Sequence, residues 1–266
     1  MKALIDGRPG ALLAADDRGL LYGETVFETL AFNDGRAPLW DRHMARLERG
    51  AGLLAMRAPT TELLLEECRQ IAPQRGPAVL RITLTAGSGG RGYWPAECPQ
   101  PRRIIHARPW PPGLDRQRHE GLRLVTSAHV IRNADFGLGL KHGNRLVQVA
   151  AARECTAARG DEALLLDEQG CVVEAISSNV VLVRDGQLLT HPRPAVAGVG
   201  LGWLREQPGV NVADGRVPAT DLLRCSEILV INSVAGIRPA ITLDGQHIGP
   251  GPVGRRLQSL WNQHLP

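Results

Sequence analysis

Apolar and polar residues fall into clearly bounded patterns along this chain of 266 residues. Residues 1–36 read as short strands separated by turns: "ALIDGRPGAL" carries the Asp-Gly signature of a tight hairpin, "TVFETLAF" alternates as a strand, and "NDGR" closes another turn. From Trp40 the period changes. Trp40, Met44, Leu47, Ala51 and Leu54 recur at helical spacing, which predicts a helix bearing Arg42, His43, Arg46 and Arg49, with Arg46 on the stripe opposite Trp40 and Met44. A second helix is expected through "TELLLEECRQIA", after Pro59 and Thr60. "AVLRITLTA" (78–86) alternates as a strand and runs into the glycine-rich "GSGGRGY" (87–93).

Residues 95–120 are rich in Pro and Arg, and "ARPWPPGLDRQRHEG" reads as an irregular connector. This divides the chain into a smaller domain (1–110), a connector (111–120) and a larger domain (121–266). In the larger domain "LRLVTS" is a strand, "NADFGLGLKHG" (133–143) a loop, and "NRLVQVAAARECTAARG" a helix ending at Gly160. Two hairpins follow, "EALLLDEQGCVVEA" and "NVVLVRDGQLLTHP". Then come a glycine-rich turn opening a short helix at about 199–207, a buried strand and loop in "SEILVINSVAGIRPA", a hairpin in "ITLDGQHIG" and a terminal helix. Mixed strands and helices in this order predict an α+β fold, two layers sharing a cleft.

Composition narrows the class. Apolar residues at 43% and charged residues at 22% are ordinary for a globular chain, and aromatics at 4% leave the core to Leu, Val, Ile and Ala. Net charge is +4, with basic residues scattered, so nucleic acid is not suggested. No stretch approaches the ~20 apolar residues of a membrane helix. Five cysteines without CxxC spacing fit a reducing compartment rather than a zinc site or disulfide framework, and "MKALIDGRPG" lacks a signal-peptide run, so a cytoplasmic protein is expected, with no metal.

One feature of the charge pattern points to chemistry. Of 31 basic residues only Lys2 and Lys141 are lysine. An ammonium can lose its proton when desolvated and act as nucleophile or base, whereas a guanidinium stays protonated, so position 141 reads as one that needs an amine. If Lys141 is a Schiff-base lysine, a pyridoxal phosphate site needs a carboxylate for the pyridine nitrogen and a cup for the phosphate. Glu174, in the apolar run "CVVEAI", is a candidate carboxylate that needs a partner if buried. "AGVGLG" (197–202) before a helix and "NSVAG" (232–236) after a strand could each cup a phosphate, with Arg46 as a fixed cation. "GSGGRG" lacks nucleotide-loop spacing.

Together, "DDRGLLYGETVFETL", "RHMARL", "GLKHGNRLVQ", "EALLLDEQGCVVEAISSNVVLVRDGQLLTHP" and "AGVGLG" resemble the fold-type IV pyridoxal-phosphate enzymes: branched-chain aminotransferases, D-amino acid aminotransferases and aminodeoxychorismate lyases. The resemblance runs from about residue 3 to residue 250, and includes the 33-residue gap from Lys141 to Glu174. It implies a two-domain fold with pyridoxal 5'-phosphate in the interdomain cleft. Lys141 resembles the cofactor lysine and Glu174 the pyridine-nitrogen partner. Arg46 resembles the phosphate arginine, Val199 and Gly200 the backbone donors to the phosphate, and Ser233 and Val234 its second contact.

Within the family, "GSGGRGY" and "KHGNRL" are similar to lyase segments. Phe27 stands where D-amino acid aminotransferases have tyrosine, and Arg91-Gly-Tyr93 where they have Arg-x-His; Gly143 departs from the leucine common in lyases. The resemblance implies a lyase acting on 4-amino-4-deoxychorismate to give 4-aminobenzoate and pyruvate. A branched-chain or D-amino acid aminotransferase is the alternative, and a cofactor-free binding protein on the same scaffold a third reading. The substrate is a small dicarboxylate, for which Arg91 is the first candidate cation and Arg108 a weaker one, with Phe27 counted among the substrate-binding residues. A homodimer is implied, because the corresponding loop of related aminotransferases reaches in from the neighbouring subunit.

Overall fold

The computed structural model describes residues 2–97, 99–132, 137 and 139–264. Cys98 and part of the loop expected at 133–143 lie outside the described residues. The chain divides into two compact units, Met1–Pro111 with Leu140–Asn144, and Pro112–Gly139 with Arg145–Pro266.

The first unit contains β1 (Lys2–Ile5), β2 (Arg8–Pro9), α1 (Arg18–Tyr22), β3 (Thr25–Asn33), α2 (Trp40–Leu53), α3 (Thr61–Ile71), β4 (Pro77–Thr85) and β5 (Arg102–Pro109). Its antiparallel sheet has the order β2-β1-β5-β4-β3. Val26, Leu30 and Phe32 of β3 pack with Met44, Leu47 and Ala51 of α2, and with Leu64 and Cys68 of α3. The Asp-Gly turns form as their sequence requires: Asp6-Gly7, Asp34-Gly35, Asp185-Gly186 and Asp244-Gly245 all have positive φ at both residues.

The second unit contains α4 (Leu114–Glu120), β6 (Leu122–Ile131), α5 (Leu146–Ala157), β7 (Glu162–Asp167), β8 (Val172–Ala175), β9 (Asn179–Arg184), β10 (Gln187–Thr190), α6 (Val199–Arg205), β11 (Val212–Asp214), a 3-10 turn at Ala219–Arg224, β12 (Glu227–Asn232), β13 (Gly236–Leu243), β14 (Gln246–His247) and α7 (Pro252–His264). Strands run β9-β12-β13-β6-β7-β8, and β8 returns to β9 through Glu174 opposite Asn179, which closes the sheet into a barrel. β10, β11 and β14 lie off this ring. The barrel wall is Val- and Leu-rich, with Leu122, Leu164, Val180 and Val230 in one core.

Three expectations are corrected. The connector read as irregular in "ARPWPPGLDRQRHEG" is largely regular: β5, an inner strand paired with β1 and β4, runs into it as far as Pro109, and α4 (Leu114–Glu120) packs on β13. The arginines that obscured β5 are paired, Arg102 with Asp6 and Arg103 with Glu67, while Ile105 is fully buried. Residues 18–22 are a helical turn, capped by the Asp17 carboxylate, which accepts from the Gly19 N–H, and ended by Gly23 in the left-handed region. "GIRPA", read as loop, opens β13, which pairs antiparallel with β12.

Candidate active site

Lys141 belongs to the first unit as part of the short segment Leu140–Asn144, although the chain on either side of that segment belongs to the second. Residues 140–144 run beside the edge of β3: Phe27 N–H donates to Lys141 O at 2.8 Å, Gly143 N–H donates to Thr25 O at 3.1 Å, and Val26 bridges His142. The main chain thus fixes the lysine, and its Nζ stands 4.8 Å from the centroid of the Phe27 ring. The Arg81 guanidinium also lies over that ring, at 3.6 Å. Gly143 has a local reason: a Cβ there would sit 2.1 Å from Thr25 Oγ1, so no larger residue fits the path that carries Lys141.

The other face of β3 carries a charge where alternation demands a core residue. Glu28 lies between Val26 and Leu30 with no exposed surface. Arg46 donates to it through Nε at 2.7 Å and Nη2 at 2.5 Å, and His43 Nδ1 approaches at 2.6 Å. Arg46 and His43 are therefore buried on the core side of α2, not on a stripe away from it. Burial alone would raise the Glu28 carboxyl; the bonds from Arg46 and His43 outweigh it and hold it below its ordinary range. Burial lowers His43, against the pull of Glu28, so the ring is neutral, with its proton on Nδ1 toward Glu28. Its Nε2 is buried with no hydrogen-bond partner among the described residues.

In the second unit Glu174 is buried at the β8–β9 closure of the barrel. The partner that burial requires is Val196, whose N–H donates to Glu174 Oε2 at 3.0 Å. Asn179 Nδ2 donates to Val196 O at 3.0 Å, so both main-chain groups of Val196 are held. The same Asn179 explains Gly198, where a Cβ would fall 1.7 Å from Asn179 Oδ1. Val199 and Gly200 then open α6, and as its first residues their N–H groups have no intrahelical acceptor.

The two glycine turns proposed for a phosphate lie against one side chain. Trp261 of α7 would meet a Cβ on Gly200 at 3.2 Å and one on Gly236 at 2.8 Å, and its ring packs edge-on against Trp203 at 5.2 Å. In the β12–β13 turn, Asn232 Oδ1 accepts from Val234 N–H at 3.0 Å and Ala235 N–H at 2.7 Å, while Arg118 donates to Val234 O at 3.1 Å. The N–H of Val234 is thus directed at Asn232, and Ser233 carries the expectation for this turn.

Arg91 is exposed at the tip of its loop, with the Trp94 ring beside it at 5.8 Å. Arg108 is exposed on β5. The structure thus joins Lys141 with Phe27, Arg46 with Glu28 and His43, and Glu174 with the start of α6. Sequence reading missed Glu28, His43, Asn179 and Asn232. For Glu28, Asn179 and Asn232 the signal is a polar residue inside an apolar strand or at its end, in "TVFETL", "SSNVVLV" and "ILVIN"; His43, on α2, carries no such signal.

Among the described residues no group of His, Cys, Asp or Glu side chains could hold a metal, and no helix is long and apolar enough to cross a membrane. The four described cysteines, Cys68, Cys155, Cys171 and Cys225, are buried thiols.

Residues 25–242 match the family described as Amino-transferase class IV. The crystal structure of 4-amino-4-deoxychorismate lyase from Pseudomonas aeruginosa is similar over 99% of both chains, with a TM-score of 0.90 and 38% identity. A Methanocaldococcus jannaschii protein provisionally named a branched-chain-amino-acid aminotransferase is 30% identical over 98% of this chain and 94% of its own. An aminodeoxychorismate lyase of Vibrio harveyi is 26% identical over 97% of this chain and 98% of its own.

Proposed function

This chain belongs to the amino-transferase class IV family, and from that premise we propose that it is a lyase converting 4-amino-4-deoxychorismate to 4-aminobenzoate and pyruvate. Its fold is of fold type IV and its cofactor is pyridoxal 5'-phosphate. The observation that carries the lyase reading is the end-to-end similarity to the Pseudomonas lyase, at 38% identity over 99% of both chains. The Methanocaldococcus relative, at 30% identity against 26% for the Vibrio lyase, supports the other reading, a branched-chain aminotransferase.

The residues present fit the cofactor. A half-buried amine stands over an aromatic ring, a buried carboxylate has one oxygen tied to a main-chain N–H, and a glycine-rich helix start tolerates no side chain at Gly198. When bound, pyridoxal phosphate supplies an aldehyde for an amine and a ring that withdraws electrons from the carbon bearing that amine. In this reading Lys141 anchors it, Glu174 keeps a proton at the ring nitrogen, and Arg46, the N–H groups of Val199 and Gly200, and Ser233 hold its phosphate, with Val234 contributing through the shape of its turn. With the cofactor bound, Lys141 would take the proton from the substrate carbon that bears the amino group. As the ether C–O bond breaks and the substrate ring becomes aromatic, Lys141 would return a proton to the methylene of the departing group, which leaves as pyruvate. Atoms balance without an amino acceptor. Phe27 packs beside the reacting ring and Arg91 binds a substrate carboxylate. The active form in this reading is a homodimer working in the cytoplasm.

Incubation with a branched-chain amino acid and 2-oxoglutarate separates the two readings. The lyase reading expects no glutamate beyond a trace; stoichiometric glutamate would replace it with the aminotransferase.

Arg46→Ala is expected to act twice. A charged hydrogen bond to phosphate is worth roughly 1.5–3 kcal/mol, so the Kd for pyridoxal phosphate should rise about 10- to 150-fold. Removing the cation from buried Glu28 should also cost roughly 3–5 kcal/mol of stability. Calorimetric titration and thermal unfolding read the two effects separately, and an unchanged Kd with reduced stability would leave Arg46 only its structural pairing.

A further inference from the structure

Arg18 has no place in the reading above, yet its surroundings are built around it. It lies on α1, is only 5% exposed, and its Nε donates to Glu24 Oε2 at 2.6 Å. The rest of the guanidinium serves a single loop. Nη1 donates to the carbonyls of Gly89 (3.3 Å), Gly92 (3.0 Å) and Trp94 (3.1 Å), and Nη2 donates to that of Tyr93 (3.3 Å). The Arg18 main-chain N–H adds Gly87 O at 2.8 Å. The glycine-rich segment is therefore moulded round one buried cation. Glycine is needed to turn these carbonyls inward: φ is +113° at Gly89, +79° at Gly90 and +58° at Gly92.

Arg18 is itself held. The Asp17 carboxylate accepts from Gly19 N–H at 2.8 Å and from Thr85 Oγ1 at 2.7 Å, which ties α1 to the end of β4. The Tyr22 ring lies 5.0 Å from the guanidinium and 5.3 Å from the Tyr93 ring. With its carbonyls turned inward, the loop turns its side chains out. Tyr93 is 81% and Trp94 66% exposed, and Arg91 lies between Gly90 and Gly92 with its guanidinium over Trp94. Only a planar fork of five N–H donors serves this many acceptors at once, which an ammonium cannot do.

We propose that Arg18 is the positioning residue of a carboxylate-recognition loop: it fixes residues 87–94 so that Arg91 is presented over the ring of Trp94, a cation beside an aromatic face that suits a carboxylate carried on an unsaturated ring. Arg18 touches no substrate and acts through Arg91. The identity of that substrate rests on the function proposed above.

The test is a cycle of Arg18→Lys, Arg91→Ala and the double variant, each as holoenzyme. Arg18→Lys is expected to raise KM for 4-amino-4-deoxychorismate about 10-fold, the loss of a two-bond grip. It should leave kcat within about threefold and the cofactor spectrum unaltered, and it should speed amide hydrogen exchange across 87–94. The double variant should be no worse in KM than Arg91→Ala alone, since both remove one interaction. Effects that multiply, or a KM that stays put while loop exchange accelerates, would overturn the proposal. Should Arg18→Lys not fold, Gly90→Ala deforms the loop from the other side, because its Cβ would meet Trp94 O at 2.2 Å and Arg18 Nη1 at 3.0 Å, and the same KM rise is expected. Calorimetric binding of 4-aminobenzoate gives the comparison without turnover: about tenfold weakening in Arg18→Lys supports the proposal and unchanged affinity contradicts it. A wild-type protein without lyase activity would refute the function, not this role, which the binding and exchange measurements still decide.

Discussion

Lys141→Arg is expected to lower turnover by at least about 10⁴-fold, a rise of ~5.4 kcal/mol in the barrier. The change keeps a long cationic side chain. Position 141 is held in part by main-chain contacts, Phe27 N–H to Lys141 O and the Val26–His142 bridge, and these survive it. Loss of activity in a protein of unchanged thermal stability would therefore belong to the amine. A guanidinium stays protonated, so it can neither bond covalently to an aldehyde nor take up a proton. Visible absorbance checks the first failure and single-turnover kinetics the second. A folded, cofactor-loaded Lys141→Arg enzyme that still makes 4-aminobenzoate would remove Lys141 from the mechanism.

Glu174→Gln is expected to reduce kcat by about 10³-fold, or ~4 kcal/mol, with the fold and cofactor affinity nearly intact. The structure supplies the control. The wild-type carboxylate accepts from Val196 N–H, and a glutamine carbonyl can accept the same bond, so the start of α6 keeps its anchor. What the amide cannot do is act as the anion that holds a proton on a ring nitrogen, and without that proton the ring is a poor electron sink. Glu174→Ala, by contrast, should also weaken cofactor binding, because it leaves the Val196 N–H buried without its acceptor. If Glu174→Gln stayed within about threefold of wild type, a difference of ~0.65 kcal/mol, Glu174 would have no electronic role.

Much of the chain's local structure was legible because it depends on neighbours in sequence. The Asp-Gly hairpins, the α2 periodicity and the β7–β8 and β9–β10 hairpins all form where the pattern puts them. The failures share one cause, a partner distant in sequence. β5 looked like a connector because its arginines find Asp6 and Glu67 only in the folded unit. Arg46 looked to lie on the stripe away from the core because Glu28, which draws it inward, sits on β3. α1 is five residues long, too short to show a helical period, and depends on Asp17 and Gly23 at its ends. The return of β8 to β9 rests on one residue pair, Glu174 and Asn179, and no periodicity announces it. Lys141 was legible for a different reason: composition alone sets it apart among 31 basic residues.

The central claim is that this enzyme cleaves rather than transaminates, and one measurement meets it directly. Purified holoenzyme is mixed with 4-amino-4-deoxychorismate in the absence of any 2-oxo acid, and 4-aminobenzoate fluorescence is followed alongside pyruvate. The account predicts both products in equal amounts over many turnovers. No 4-aminobenzoate from an enzyme that in parallel makes glutamate from a branched-chain amino acid and 2-oxoglutarate would contradict it.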